Sequence, residues 1–108
     1  MIEIFNMDCM ELLRSAKGKQ WDLAIVDPPY GINAANDVRG NTKHGNAAAF
    51  SKSYGGKKDW DLSAPTTEYF CELRRASKDQ IIWGCNHFIS RNPIDSSCWI
   101  VWDKLTGT

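Results

Sequence analysis

The sequence predicts an α/β domain: a mostly parallel sheet, flanking helices and one long flexible loop. Three observations carry that prediction. The run Leu23-Ala24-Ile25-Val26 is apolar at every position, as a strand covered on both faces of a parallel sheet should be. A strand–turn–helix pattern precedes it, which gives a βαβ order. After Pro65 the apolar residues recur at helical spacing, and a further strand reads from Gln80 to Trp83.

Taken in order, Ile2 to Phe5 alternates weakly and reads as a short strand. Asp8 stands three residues before Glu11, a D-x-x-E form of the capping box, so a helix should start there. Met10, Leu12, Leu13 and Ala16 supply its apolar face and Gly18 its end. The strand Leu23 to Val26 follows. From Gly31 to about Asp61 the periodicity vanishes, and Gly, Asn, Ala, Ser and Lys dominate. A connection this long is either functional or disordered. It carries Arg39, Lys43, Lys52, Lys57 and Lys58, with His44 and Tyr54 among them. Two compatible readings stand: a solvated loop, or a basic arm that settles on phosphates. Pro65 to about Ser77 reads as a helix with Tyr69, Phe70, Leu73 and Ala76 on one face and Arg74, Arg75 and Lys78 toward its C-terminal end. Gln80 to Trp83 reads as a strand ended by Gly84, Asn86 to Ser90 as a helical turn, and Cys98 to Trp102 as a last strand ended by Asp103-Lys104.

The chain has 108 residues and 43% hydrophobic content, which suits one small domain with a core. Its formal net charge is zero, so any nucleic-acid contact must come from a local patch rather than a global basic field. No apolar stretch is long enough for a bilayer, and the N-terminus has no signal-peptide pattern, which points to the cytoplasm and to no membrane partner. Cys9, Cys71, Cys85 and Cys98 form no C-x-x-C pair, so the sequence argues for free thiols and no metal.

The chemistry collects at strand ends. The run to Val26 stops at Asp27-Pro28-Pro29-Tyr30. The two prolines cannot donate backbone hydrogen bonds and stiffen the exit. An acceptor and a flat ring are left beside a rigid backbone, an arrangement suited to a planar group bearing an amine. Taken alone, the motif reads better as a strand ending in a proline turn with a solvated Asp; the other strand ends shift that balance. The other strands end at Asn6 and Asp8, at Trp83-Gly84-Cys85-Asn86-His87, and at Trp102-Asp103-Lys104. If all four strands are parallel, these sets share the edge where open α/β sheets bind ligands.

These residues resemble the amino-methylating DNA methyltransferases, which use S-adenosylmethionine to modify adenine N6 or cytosine N4. The resemblance rests on Asp22 to Gly31, on Trp60-Asp61, on Ile81 to Phe88 and on Trp99 to Lys104, and covers most of the chain outside the loop. It implies a partial Rossmann-like methyltransferase fold. It implies catalytic roles for Asp27, Pro28, Pro29 and Tyr30: the Asp27 carboxylate and the Pro28 carbonyl accept from the exocyclic amine, and Tyr30 stacks on a base flipped out of double-stranded DNA. Such stacking is worth about 1–3 kcal/mol per base. Because the donor carries its own leaving group, orientation and electrostatics would dominate catalysis.

The same resemblance puts Asp8 and Asp27 at the cofactor. Asp8 also serves as the helix N-cap in the reading above. Trp83, Asn86, His87 and Lys104 become candidates for the substrate or cofactor pocket, with Trp83 as plain core and Lys104 as a solvated surface lysine the alternatives. Lys52, Lys57 and Lys58 become candidates for phosphate contact. Asp at the first motif position favours adenine; the cytosine enzymes more often have Ser there.

The glycine-rich F-x-G-x-G cofactor loop of that family has no counterpart here; Gly55-Gly56 lies in the polar loop and Gly84 stands alone. The expectation is therefore the N-terminal catalytic portion of a longer methyltransferase, residues 1–108, with the cofactor glycine loop and target-recognition region elsewhere. Such a piece should have little activity alone and could self-associate through an incomplete sheet edge. The competing readings are a non-catalytic nucleic-acid-binding module, a cytosine-N4 enzyme and an RNA methyltransferase.

Overall fold

The computed structural model describes residues 1–33, 59–103 and 105. Within them the chain is a small α/β unit in the order α1 (Cys9–Ser15), β1 (Trp21–Val26), α2 (Thr67–Ala76) and β2 (Ser77–Ile82), followed by a 3₁₀ turn over Cys85–His87. The two strands pair in parallel, with Ile25 opposite Ile81 and Val26 opposite Ile82.

Helix α1 starts where Asp8 takes an extended conformation and its carboxylate accepts from the Met10 amide at 2.8 Å, satisfying one of the free N–H groups of the first turn. It ends earlier than Gly18, because Ala16 turns extended and buries itself in the core. The carbonyls stranded by this early end are taken by Arg75 of α2, which donates to Leu13 O at 2.7 Å and Ala16 O at 2.8 Å while pairing with Glu72. The Asp8 cap and the helix face are thus present on a shorter helix, while among the described residues the reciprocal Glu11 bond of a capping box is not formed.

Helix α2 buries Tyr69, Phe70, Leu73 and Ala76, the stripe expected from their spacing. It then passes into β2 without a loop. Ser77, fully buried, closes the helix by donating from Oγ to Leu73 O at 2.6 Å, and Gln80 donates back to Ser77 Oγ. Lys19, in the left-handed region at φ 54°, reaches the same corner and donates from Nζ to Arg74 O and Ser77 O. These bonds to the carbonyls explain why Ser77 and Lys78, expected at the end of the helix, instead open the strand.

Leu13, Ala16, Tyr69, Phe70, Leu73, Ala76 and Phe88 form the core. Ala24, Val26 and Ile82 face it from the sheet. The other sheet face is bare: Leu23 is 48% exposed, Ile25 64% and Ile81 42%. The continuous apolar run of β1 anticipates cover on both faces; among the described residues only one face has it. An apolar cavity of about 230 Å³ runs along β1, lined by Leu12, Leu13, Leu23, Ile25, Tyr69 and Leu73.

Two expected strands are not formed. Ile2 to Phe5 has no strand pairing, and Ile2 and Ile4 are each 91% exposed. Cys98 to Trp102 likewise has none, with Ile100 90% exposed. A strand exists only through a ladder to a neighbour, and among the described residues these segments have no such neighbour. Trp102 does reach the end of β2, where its ring meets Trp83 edge-on at 5.2 Å. Expectations for the loop between residues 34 and 58, and for Lys104, lie outside the described residues.

Candidate functional site

Because β1 and β2 are parallel neighbours, their C-terminal exits emerge side by side. The ladder continues one residue past β2, with the Trp83 amide donating to Val26 O, the last residue of β1, at 2.9 Å. Asp27-Pro28-Pro29-Tyr30 therefore lies against Trp83-Gly84-Cys85-Asn86-His87, the adjacency expected of parallel strand ends. Only two of the four expected strands form, yet Asp8 from the first segment reaches the cleft beside Asp27 and Trp102 from the last meets Trp83.

The exit of β1 is held by more than its prolines. Gly31 turns left-handed at φ 72°, and its amide donates to Asp61 Oδ1 at 2.8 Å. A Cβ at Gly31 would sit 2.7 Å from the Ala64 amide nitrogen, so a side chain has no room there. Asp61 is 2% exposed, and its own carbonyl accepts from Asn33 at 2.8 Å. Asp61 thus ties the backbone leaving the motif to the backbone leading into α2. Sequence reasoning assigned it no role; the Trp60-Asp61 pair was the available signal.

The exit of β2 is anchored from below. Phe88 is fully buried against Phe70, ring centroids 5.4 Å apart, and the Arg74 guanidinium holds Asn92 Oδ1. Between these anchors Gly84 takes φ 64°, and a Cβ there would fall 2.4 Å from Tyr30 Cε1 and 2.7 Å from its hydroxyl. The Tyr30 ring rests directly on the Gly84 backbone, so Gly84 is the second residue whose role was not assigned from sequence. The other side-chain neighbours of Tyr30 are His87, stacked at 4.7 Å with planes 21° apart, and Phe88, tilted at 5.8 Å. The Tyr30 hydroxyl donates to Asp27 Oδ1 at 3.1 Å. Burial pushes the Tyr30 phenol up, and the hydrogen bond and charge of Asp27, with the charge of Asp61, push it the same way. Tyr30 therefore remains a neutral donor at ordinary pH.

A cleft of about 680 Å³ opens beside this ridge, lined among others by Asp8, Met10, Asp27, Pro28, Pro29 and Trp60. That size is within the range of small-molecule sites. Asp8 and Asp27, distant in sequence, border the same space because the start of α1 lies beside the end of β1. Cys9 also lines it, and its thiol is pushed up by burial first and then by the charge of Asp8, which makes it a poor nucleophile. Tyr69, on the floor, is pushed up to about 12 by burial, with the nearby Cys9 adding to the shift.

Of the residues singled out from sequence, Asp8, Asp27, Pro28 and Pro29 share the cleft. Tyr30 and His87 form the aromatic ridge next to it. Trp83 and Asn86 do not line the cleft: Trp83 is 42% exposed and meets Trp102, and Asn86 is exposed on the 3₁₀ turn. Lys52, Lys57, Lys58 and Lys104 lie outside the described residues. Among the described residues no group of three or more His, Cys, Asp or Glu side chains is arranged to hold a metal, and no helix is long and apolar enough to cross a membrane.

No protein-family model matches the chain, and no solved structure matches it. Among curated proteins the chain is similar to the Type II methyltransferase M1.MboII of Moraxella bovis, at 27% identity over 111 residues. That match takes in 97% of this chain and 38% of the relative, so the chain spans well under half of the length of the curated protein it resembles.

Proposed function

We propose that the chain is the amine-holding part of a DNA methyltransferase that transfers a methyl group from S-adenosylmethionine to adenine N6. One observation carries the reading: the Asp27 carboxylate stands on a proline-stiffened strand exit, between a ligand-sized cleft on one side and an aromatic ring on the other. The similarity to a Type II methyltransferase supports the same reaction class.

In this reading Asp27 accepts a hydrogen bond from the exocyclic amine and the Pro28 carbonyl accepts a second. The two acceptors hold the nitrogen lone pair toward the cleft. Pro28 and Pro29 keep both acceptors rigid, which lowers the cost of orienting the amine. Tyr30 supplies the ring on which a flipped base stacks. The donor set of the cleft fits the cofactor: the Asp8 and Asp27 carboxylates complement ribose hydroxyls and a sulfonium cation, and Asp8 uses Oδ1 for its helix cap while Oδ2 remains for a ligand. S-adenosylmethionine, when bound, supplies an activated methyl group. The glycine loop that completes such a site, and the region that reads the DNA sequence, would belong to further polypeptide. Lysines 52, 57 and 58 are assigned to phosphate contact.

The test is methyl transfer from labelled S-adenosylmethionine to double-stranded DNA. The chain is fused for this purpose to the segment of the Moraxella bovis relative that has no counterpart here. The expected product is N6-methyladenine, with loss of transfer on Asp27→Ala. Transfer that survives that substitution, or that goes to RNA or to cytosine, overturns the assignment.

A further inference from the structure

The aromatic ridge has a feature that the methyl-transfer reading does not explain. The ring meant for a base already has a partner. Tyr30 and His87 are stacked with centroids 4.7 Å apart and planes 21° apart. A third ring cannot enter between them, because each stacked layer requires about 3.5 Å. We propose that His87 is a positioning residue that occupies the Tyr30 ring face as a stand-in for the substrate base, and that a planar substrate ring displaces it. The inference rests on the methyl-transfer reading and adds to it a competitor built into the site.

The surroundings of Tyr30 single out His87 as the neighbour that can leave. Phe88 is fully buried in the core and cannot move without opening it. Gly84 contributes backbone, and its carbonyl accepts from the His87 amide at 2.8 Å. His87, by contrast, has an exposed side chain on a short 3₁₀ turn, and its imidazole can swing into solvent while that backbone bond stays in place. The seat itself does not move: Gly84 has no Cβ to push the Tyr30 ring aside, and Asp27 holds its hydroxyl. The ridge is therefore a fixed ring with a removable cover. Covering an exposed ring face until a base arrives keeps apolar surface from water at the cost of a modest competition.

Removing the cover should tighten binding by roughly the value of one aromatic pair, about two- to tenfold in Kd. The experiment titrates the 108-residue chain with a short duplex carrying one adenine opposite an abasic site, so that the base is already extrahelical. Wild type, His87→Ala and His87→Phe are compared by fluorescence anisotropy, and the His87 ring protons are followed by NMR. Expected are tighter binding by His87→Ala, wild-type or weaker binding by His87→Phe, and His87 ring signals that lose the Tyr30 ring-current shift on complex formation. Unchanged thermal melting of the variants separates this effect from a folding defect. Binding by His87→Ala that is equal to or weaker than wild type, or His87 signals that keep their stacked position in the complex, overturns the inference alone. Absence of binding by both wild type and His87→Ala also overturns the inference, whereas the methyl-transfer reading stands or falls by the transfer assay of the fused chain.

Discussion

The Tyr30 hydroxyl donates to Asp27 Oδ1 at 3.1 Å, so the ring expected to receive a base also occupies one oxygen of the acceptor expected to receive its amine. In the proposed reading the two roles given to the motif are coupled through this bond. Tyr30→Phe keeps the ring and frees the oxygen; the extended enzyme should retain methyl transfer. Tyr30→Ala removes the ring and should weaken transition-state binding by about 1–3 kcal/mol, roughly five- to 150-fold in kcat/KM. Equal losses in the two variants would show that the hydroxyl, not the ring face, does the work.

Asp61 ties the two backbone segments that flank residues 34–58. Asp61→Ala leaves the Gly31 N–H without its acceptor in a partly buried place, and should cost about 1–3 kcal/mol in urea denaturation. Gly31→Ala should also destabilise, since the new Cβ would meet the Ala64 amide at 2.7 Å and the residue sits at φ 72°. A wild-type denaturation midpoint in both variants would contradict the role given to this clamp.

Arg75 stands in for a C-terminal cap on α1. Arg75→Lys retains the charge but not the planar fork that reaches Leu13 O and Ala16 O together. Faster amide hydrogen exchange in α1 is expected for Arg75→Lys, and faster still for Arg75→Ala. Exchange in α1 that stays at the wild-type rate in Arg75→Ala would show that the helix end is held by core packing alone.

Alkaline pH should destabilise the fold through Tyr69. Its folded-state value, about 12, lies above the ordinary 10 of the unfolded chain, so the protonated phenol is favoured by folding. The associated stability is intact below pH 10 and is lost as pH rises through about 12. Urea melts between pH 9 and 12 should show this decline, and Tyr69→Phe should flatten it.

Among the described residues one sheet face has no cover, a liability in water. Leu23, Ile25 and Ile81 lie exposed on a two-stranded sheet, which invites association between copies. Ile25 and Ile81 are directly opposite in the ladder, so Ile25→Lys with Ile81→Glu places an opposite-charge pair there. Sedimentation velocity should show less concentration-dependent association in the double variant than in wild type.

Much of this unit is legible in the residues themselves. Asp8 caps a helix because a carboxylate there meets free amides, whatever lies around it. The spacing of Tyr69, Phe70, Leu73 and Ala76 commits one face of α2 to a core. The proline pair ends β1, since proline cannot continue a ladder. These are local rules, with ranges of a few residues. Tertiary structure decided what depends on distant partners. Ile2 to Phe5 and Cys98 to Trp102 have the pattern of strands, but strand formation requires a neighbour that pattern cannot supply. The early end of α1 depends on Arg75, and the direct passage from α2 into β2 depends on Lys19 and Ser77. The place of Tyr30 depends on the missing Cβ of Gly84 and on the ring of His87. Backbone propensity and apolar period act along the chain, whereas ladders, borrowed caps and ring stacks act across it, and only folding brings those partners within reach.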